Sequence, residues 1–156
     1  MRSGAFFFTL VSIVMPSSST FAQTTDPRSV FHRLERFYIE VGADQFEVAM
    51  GLYAPDAQIL LAGQVPITGK INILNWWQAT LKDYRLRVAP RLIEAVNVGE
   101  AVILQGEALG QLESRSGSAS LKIDIWFIQI YRKQSNGEFL LWRGASGPNP
   151  SSPRSS

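Results

Sequence analysis

The chain has 156 residues, of which 46% are hydrophobic and 18% charged, the composition of a single globular domain with a real core. The formal net charge is only +2 and no run of Lys or Arg occurs, which argues against nucleic acid as a partner. The absence of cysteine excludes disulfides and thiolate metal sites, and it suits an oxidising compartment.

The first 22 residues have the three parts of an export signal. Arg2 precedes an apolar run over residues 5–14, and small residues follow as far as Ala22. The run is shorter than the roughly 20 residues that span a bilayer, so we expect cleavage after Ala22 and no membrane association afterwards. Loss of Arg2 changes 15 basic residues to 14 against 13 acidic ones, giving a net charge of +1 on an exported protein, periplasmic or secreted.

Two helices are predicted at the start of the mature chain. Asp26, followed by proline, is a typical helix start because Asp caps free amides and proline loses no hydrogen bond there. Apolar residues then recur at helical spacing up to Gly42, which leaves His32 on the solvent side. Asp44, with an acidic residue three positions later, predicts the cap of a second helix, which ends before Pro55.

A strand and a third helix are expected next. The strand begins at Asp56, and Thr68 is the expected cap of the helix. The side of this helix predicted to face the core consists of Ile71, Ile73, Leu74, Trp77, Gln78 and Leu81. Trp76 is predicted nearer to solvent or to a partner.

Three turn signals, at residues 97–100, 115–118 and 135–138, divide the rest of the chain into four consecutive antiparallel strands. A two-residue turn fixes which residues face each other across a hairpin. A turn at Asn136-Gly137 predicts three pairs on the inner face, Tyr131 with Trp142, Gln129 with Gly144 and Phe127 with Ser146. A turn centred on Ser116-Gly117 adds Ile123 and Ile125 to that face.

The opposite face of this predicted sheet carries Trp126, Ile128 and Ile130 in one apolar patch, which favours a homodimer through the outer sheet face. Two signals disagree about which residues of the first long strand face the core. Strict alternation that keeps Tyr84 inside assigns the opposite set of residues to the inner face from the set assigned by the turn at residues 98–99. A bulge near Pro90 is expected to resolve the conflict. The Pro- and Ser-rich segment 147–156 is expected to be a disordered tail.

The order of these elements resembles the nuclear transport factor 2-like superfamily, and within it the SnoaL-like domains of unknown function that are distantly similar to ketosteroid isomerase. The residues that carry the resemblance lie between Ser29 and Pro150: segment 53–57 (YAPDA), the helix start at Gly69, segment 131–133 (YRK) and the Asn136-Gly137 hairpin. The resemblance implies an α+β fold over residues 23–146, a cone-shaped barrel in which a curved antiparallel sheet wraps the N-terminal helices around a pocket. It also implies frequent dimers.

The chain departs from this family where many relatives have an acidic residue and then an aromatic one on the last strand. Gly144 and Ser146 occupy those positions here. Members of the superfamily include isomerases, dehydratases, cyclases, ligand binders and assembly domains, so the resemblance selects no single function.

Few residues are candidates for catalysis or metal binding. Asp56 allows two interpretations, a local turn residue that accepts hydrogen bonds from nearby amides or a general base near the cone. Asp124 is predicted to face outward in a surface ion network with Lys122 and Glu107. One solvent-facing His and no Cys exclude a transition-metal site and a nucleophilic triad, and no cofactor is expected.

The inner face and the helices offer aromatic walls with a few polar groups, the composition of a small-molecule pocket. The same rings could serve only as core packing. The residues predicted to bind a ligand are Tyr53, Asp56, Trp77, Phe127, Gln129, Tyr131, Trp142 and Ser146. The expected function is binding of a small apolar molecule. The alternatives are a cofactor-independent isomerase or dehydratase with Asp56 as its base, and an accessory dimerisation domain.

Overall fold

The structure is a computed structural model that describes residues 26–150. Three helices and six strands follow one another along the chain. Helix α1 spans Pro27–Gly42, and helix α2 spans Phe46–Ala49 and continues into a 3₁₀ turn, Met50–Leu52. Strands β1 (Tyr53–Leu61) and β2 (Ile67–Thr68) precede helix α3 (Lys70–Thr80). The long strands β3 (Tyr84–Val98), β4 (Ala101–Ser114), β5 (Leu121–Lys133) and β6 (Phe139–Pro148) complete the fold.

The six strands form one sheet in the order β2-β1-β6-β5-β4-β3. The predicted α+β class and the predicted run of four antiparallel strands, β3 to β6, are confirmed. Strand β1 pairs with β6 in parallel, so the sheet is mixed rather than wholly antiparallel. The sheet curves around the helices as a cone but its edge strands, β2 and β3, do not meet, so the predicted barrel is open.

Helix α1 follows its sequence signals closely. The Asp26 carboxylate accepts a hydrogen bond from the Arg28 amide at 2.9 Å, Pro27 is the first helical residue, and Gly42 is the last. His32 lies on the solvent side, as predicted, where its ring contacts Glu35. The buried side of the helix consists of Val30, Leu34, Phe37, Tyr38 and Val41. A Cβ on Gly42 would lie 2.7 Å from the carbonyl oxygen of Leu86, so this residue type lets α1 approach β3.

Two predicted helix caps are wrong. Asp44 adopts a left-handed backbone conformation (φ 60°) and its carboxylate pairs with Arg115, so it does not cap α2. The Arg115 guanidinium lowers the pKa of Asp44. Helix α3 starts after Gly69 (φ 90°), because the Thr68 hydroxyl bonds to the Gln58 side chain instead of to the helix.

The predicted inner side of α3 is rotated relative to the structure. Ile73 and Leu81 are buried, but Ile71 is 74% exposed and Gln78 is also exposed. Trp76, which was expected nearer to solvent, packs against the core beside Trp77. Because the two tryptophans are adjacent, the sequence is compatible with more than one rotation of α3 about its axis. Tertiary packing selects the rotation that places both rings against the core.

Strand β1 begins three residues earlier than predicted, at Tyr53 rather than Asp56. Pro55 lies inside this strand, at an irregularity in its pairing with β6 between Tyr53 and Gln58. At the other end of the chain, β6 continues through Gly147 and Pro148, which pair with Trp126 and Ile125, so the paired sheet extends two residues beyond the predicted domain end. The export signal and residues 151–156 lie outside the described residues.

The middle hairpin has the predicted register. Gly106 lies opposite Phe127, Ala108 opposite Ile125 and Gly110 opposite Ile123. A Cβ on Gly106 would lie 2.3 Å from the Arg91 carbonyl oxygen and 2.5 Å from the Phe127 ring, so a glycine is needed where β4 packs against both.

Strand β3 forms one edge of the sheet and contains the expected bulge, although at a different place. The pairing with β4 shifts between Leu92 and Glu94, beyond Pro90, and leaves Ile93 54% exposed. Tyr84 lies on the core side, so strict alternation is indeed broken along β3, as the sequence predicted. Along this edge strand the exposed side chains include Arg85, Arg87 and Arg91.

Candidate functional site

A cavity of about 370 Å³ lies between helices α1 and α3 and the inner face of the sheet. Residues of the β1–β2 turn, the first half of β5 and the last part of β6 also line it. The aromatic residues of its wall are Phe37, Tyr38, Tyr53, Trp76, Trp77 and Phe127. A space of this size with predominantly apolar walls is typical of small-molecule sites.

Phe37 of α1 is the centre of the aromatic wall. Its ring meets the rings of Tyr38, Tyr53 and Trp77 edge to face, with centroids 5.4, 5.6 and 5.5 Å apart. Trp76 and Trp77 are in edge contact at 4.9 Å. Such contacts stabilise by about 0.5–1.5 kcal/mol each beyond the burial of area, so this wall is rigid and largely formed before any ligand arrives.

Gln129 of β5 provides the main polar group of the wall. It lies opposite Gly144 of β6, and its side-chain oxygen accepts a 2.6 Å hydrogen bond from the Tyr131 hydroxyl. The hydroxyl of Tyr53, a second tyrosine in this region, is 3.5 Å from the indole nitrogen of Trp77, a distance at which a hydrogen bond is weak.

Burial controls the ionisation of the three tyrosines around the cavity. Loss of solvent raises the pKa of Tyr53 to about 12, in spite of the contact with Trp77. Burial also raises the pKa of Tyr38 and of Tyr131, and neighbouring tyrosines add to this effect. All three hydroxyls are therefore neutral at physiological pH, and they act only as hydrogen-bonding groups.

A larger cleft of about 640 Å³ lies outside the cone, between the end of α1 and strand β3. Arg85, Arg87 and Asp44 line it together with apolar residues such as Ile39, which is 70% exposed. The cleft is open to solvent along its length. We take the interior cavity as the candidate site because its walls enclose a ligand on several sides.

Five of the eight predicted ligand-binding residues line the interior cavity: Tyr53, Trp77, Phe127, Gln129 and Ser146. Tyr131 is fully buried behind them and reaches the cavity only through its hydrogen bond to Gln129. Asp56 and Trp142 are not among the lining residues. Trp76, Ile59 and the α1 residues Phe37 and Tyr38 belong to the wall but were not predicted as site residues.

Asp56 lies on the exposed side of β1, 56% of its side chain open to solvent. Its carboxylate accepts hydrogen bonds from the Arg132 guanidinium at 2.9 Å and from the Trp142 indole at 3.1 Å. The Arg143 guanidinium bonds to its backbone carbonyl at 3.1 Å. Desolvation is the largest single effect and raises the pKa of Asp56, but hydrogen bonds from its own amide and from Trp142 and the charge and hydrogen bond of Arg132 together outweigh it, so the pKa is lowered.

The prediction that Trp142 faces Tyr131 on the inner wall is wrong. A bulge in the β5–β6 pairing sets Tyr131 opposite Leu141 instead, whereas Gln129–Gly144 and Phe127–Ser146 pair as predicted. Trp142 is the extra residue of the bulge. Its ring lies between two guanidinium groups, 4.1 Å from that of Arg143 and 4.9 Å from that of Arg132.

Asp124, the other carboxylate considered from the sequence, lies on the outer face as expected. Its side chain accepts hydrogen bonds from Lys122 at 3.3 Å and from Asn149 at 2.7 Å. Glu107 pairs with Arg91 rather than with Lys122. Within residues 26–150 there is no group of three or more His, Asp or Glu side chains arranged to hold a metal ion. No helix in the same range is long and apolar enough to cross a membrane.

Comparison with solved structures assigns the fold. A ketosteroid isomerase-like protein from Erwinia carotovora atroseptica superposes with a TM-score of 0.71 at 12% identity, over 81% of this chain and 97% of the other. A proposed dehydratase of the nuclear transport factor 2-like family from Streptomyces avermitilis gives 0.66 at 14% identity, over 81% and 97%. The chain has the nuclear transport factor 2-like fold. A conserved protein from Planctomyces limnophilus gives 0.67 at 21% identity, over 77% and 91%.

No protein-family model and no curated protein matches the sequence. The likeness is therefore one of fold, and the activity must be argued from the site. In this nuclear transport factor 2-like chain the inner positions at the end of the last strand are Gly144 and Ser146. Neither offers a carboxylate to the cavity.

Proposed function

We propose that the chain binds a small, neutral, apolar molecule in the cone cavity without transforming it. The observation that carries this proposal is the composition of the wall. Among the described residues that line the cavity, none is Asp, Glu, His, Lys or Arg, and the only ionisable side chains are those of Tyr38 and Tyr53. Both have a raised pKa.

Apolar walls favour an apolar ligand because each Å² of apolar surface removed from water stabilises the complex by roughly 25 cal/mol. A charged ligand has no such advantage here. Its charge would lose water and gain no opposite charge from the described wall, which costs several kcal/mol. The site therefore selects by polarity as well as by size.

The geometry of Asp56 supports a binder over an isomerase or dehydratase. A general base must come within hydrogen-bond reach of the proton that it removes. The Asp56 carboxylate instead lies on the exposed side of β1, bonded to Arg132 and Trp142, and its lowered pKa makes it a weaker base. Asp124 is likewise outside the cavity, bonded to Asn149.

The outer face of the sheet supports a homodimer, and an accessory dimerisation role would use the same surface. Ile103 pairs with Val96 on one side and with Ile130 on the other, which makes an apolar row across three strands. Ile128 extends this row and is 43% exposed. We call these four residues the outer apolar row. A second copy that covers the row would remove its apolar surface from water.

Binding can be tested with N-phenyl-1-naphthylamine, a neutral apolar dye, by following energy transfer from tryptophan and the dye's own emission. Ile125→Phe places a larger side chain in the cavity wall, and Ile128→Phe makes the same change on the outer face of the same strand. We expect Ile125→Phe to raise Kd at least tenfold, about 1.4 kcal/mol, and Ile128→Phe to leave it unchanged. Equal effects of the two changes, or no binding by the wild-type chain, would refute a cavity site.

A further inference from the structure

In the side-chain amide of Gln129 the oxygen is hydrogen-bonded, whereas the nitrogen is not bonded to any of the described residues. Its oxygen accepts the 2.6 Å hydrogen bond from the Tyr131 hydroxyl. Its nitrogen has no hydrogen-bond partner among residues 26–150, while the side chain lines the cavity. Because an amide is planar, a bond that fixes the oxygen also fixes the direction of the two N–H groups, which belong to a side chain that lines the cavity.

Tyr131 is well placed to hold the amide in this orientation. Its ring is fully buried, and it follows Gln129 by two residues on the same face of β5. In the structure its hydroxyl donates to the Gln129 oxygen, and burial raises its pKa, so the proton needed for this bond is kept. With the roles reversed, the amide nitrogen would face Tyr131 and the cavity would be offered an acceptor instead.

A small space exists beside the Gln129 side chain. The residue opposite is Gly144, which has no side chain, and a Cβ built there would make ordinary contacts of 3.7–3.9 Å with Ile59, Gln129 Cγ and Leu141. A ligand group of about the size of a methyl therefore fits at this point without displacing its neighbours.

We propose that Gln129 is the specificity-determining residue of the cavity and that it selects a neutral ligand with one hydrogen-bond-accepting oxygen, a ketone, ester or ether on an apolar skeleton. Tyr131 is a positioning residue that sets the orientation of the amide. This inference rests on the binding function proposed above and adds the polar feature of the ligand. An unpaired donor in an apolar cavity loses its water when a ligand enters, so a ligand without an acceptor is penalised.

Three naphthalenes of similar shape test the proposal by calorimetry on the mature chain: 2-acetylnaphthalene, 2-isopropenylnaphthalene and 2-naphthoate. They differ in one feature, because the first has a neutral acceptor, the second has none and the third has a charge. We expect the ketone to bind about three- to tenfold more tightly than the hydrocarbon, the effect of one hydrogen bond, and the carboxylate to bind most weakly.

Two variants separate the role of the Gln129 amide from that of the Tyr131 hydroxyl. Gln129→Met keeps a side chain of similar length without the amide, so the ketone and the hydrocarbon should bind equally. Tyr131→Phe removes the hydroxyl that orients the amide and should reduce the preference for the ketone while the hydrocarbon affinity stays the same. A loss of cavity shape alone would weaken both ligands together and leave their ratio unchanged.

The outcomes distinguish this inference from the proposed function. Equal affinity of the wild-type chain for ketone and hydrocarbon would overturn the role of Gln129 and leave apolar binding standing. A ketone preference that persists in Gln129→Met, or tightest binding of 2-naphthoate, would also overturn it. If none of the three compounds binds, both proposals fail.

Discussion

A methyl group at Gly106 tests whether β4 needs a glycine where it packs against β3 and the Phe127 ring. In Gly106→Ala the added Cβ would lie 2.3 Å from the Arg91 carbonyl oxygen and 2.5 Å from the Phe127 ring. Ordinary contacts begin near 3.4 Å, so the neighbours must move by about 1 Å. The Arg91 oxygen belongs to the backbone of the paired strand β3, and it can move only with that strand. Overpacking of this kind costs about 1–3 kcal/mol.

Thermal and urea unfolding followed by circular dichroism measure this cost. For a domain of this size a loss of about 2 kcal/mol lowers Tm by about 6–10 °C. Gly144→Ala is the matched control, because its Cβ would lie 3.7–3.9 Å from its neighbours and Ala restricts the unfolded chain more than Gly. We expect the control to stay within about 1 kcal/mol of the wild type. Gly106→Ala with wild-type stability would refute the argument that β4 needs a glycine at this position.

Trp142→Phe and Asp56→Asn should each leave the affinity for N-phenyl-1-naphthylamine within about twofold, since neither side chain lines the cavity, and a tenfold loss would contradict this placement. In alkali the three buried tyrosines, with Tyr53 near pKa 12, keep protons that the unfolded chain releases above about pH 10. Stability should therefore fall as pH rises past 10, and absorbance at 295 nm should report these tyrosines only as circular dichroism is lost; full ionisation in the folded chain would argue against their burial. Sedimentation at micromolar concentration should give a dimer that Ile128→Glu converts to monomer, whereas a wild-type monomer would exclude the outer apolar row as an interface. Mass spectrometry of the exported protein should find Gln23 as its first residue, and intact Met1 in a membrane fraction would contradict cleavage.

The β4–β5 hairpin could be predicted from the sequence residue by residue. Its turn region at Ser116-Gly117 has only one consistent centre, and no bulge interrupts the pairs beyond it. Alternation of apolar and polar residues then fixes the inner face, because a slip of one residue would place every side chain on the wrong side. Ile123 and Ile125 were identified as inner residues on this basis, and both line the cavity.

The register of the last hairpin could be predicted only in part. Near the turn the partners are one residue earlier than predicted, so Tyr131 meets Leu141, and the extra residue Trp142 then restores the predicted register at Gly144. The one-residue displacement near the turn and the extra residue in the bulge cancel, so the pairs farther from the turn have the predicted register. A tryptophan in an apolar strand is ordinarily assigned to the core, and only tertiary contacts with Arg132 and Arg143 give it an alternative position.

Asp56 and helix α3 were misjudged for a related reason. The Asp56 partners are 76 and 86 residues away along the chain, in β5 and β6, so no local pattern reveals them. In α3 the apolar residues nearly surround the helix, and the sequence does not define a single buried side. Trp76 consequently was not recognised as part of the wall, although its position next to Trp77 was a signal that both rings need cover.

The composition of edge strand β3 bears on how the protein behaves at high concentration. A fifteen-residue strand at the edge of a sheet can recruit the equivalent strand of another copy, which is a first step towards aggregation. Pro90 has no amide hydrogen to offer such a strand, and the exposed Arg85, Arg87 and Arg91 would face like charges on an approaching copy. The bulge beyond Leu92 interrupts the regular ladder. These features oppose edge-to-edge pairing of two β3 strands, so the long outer edge of β3 is a poor template for aggregation although no strand of the described sheet covers it.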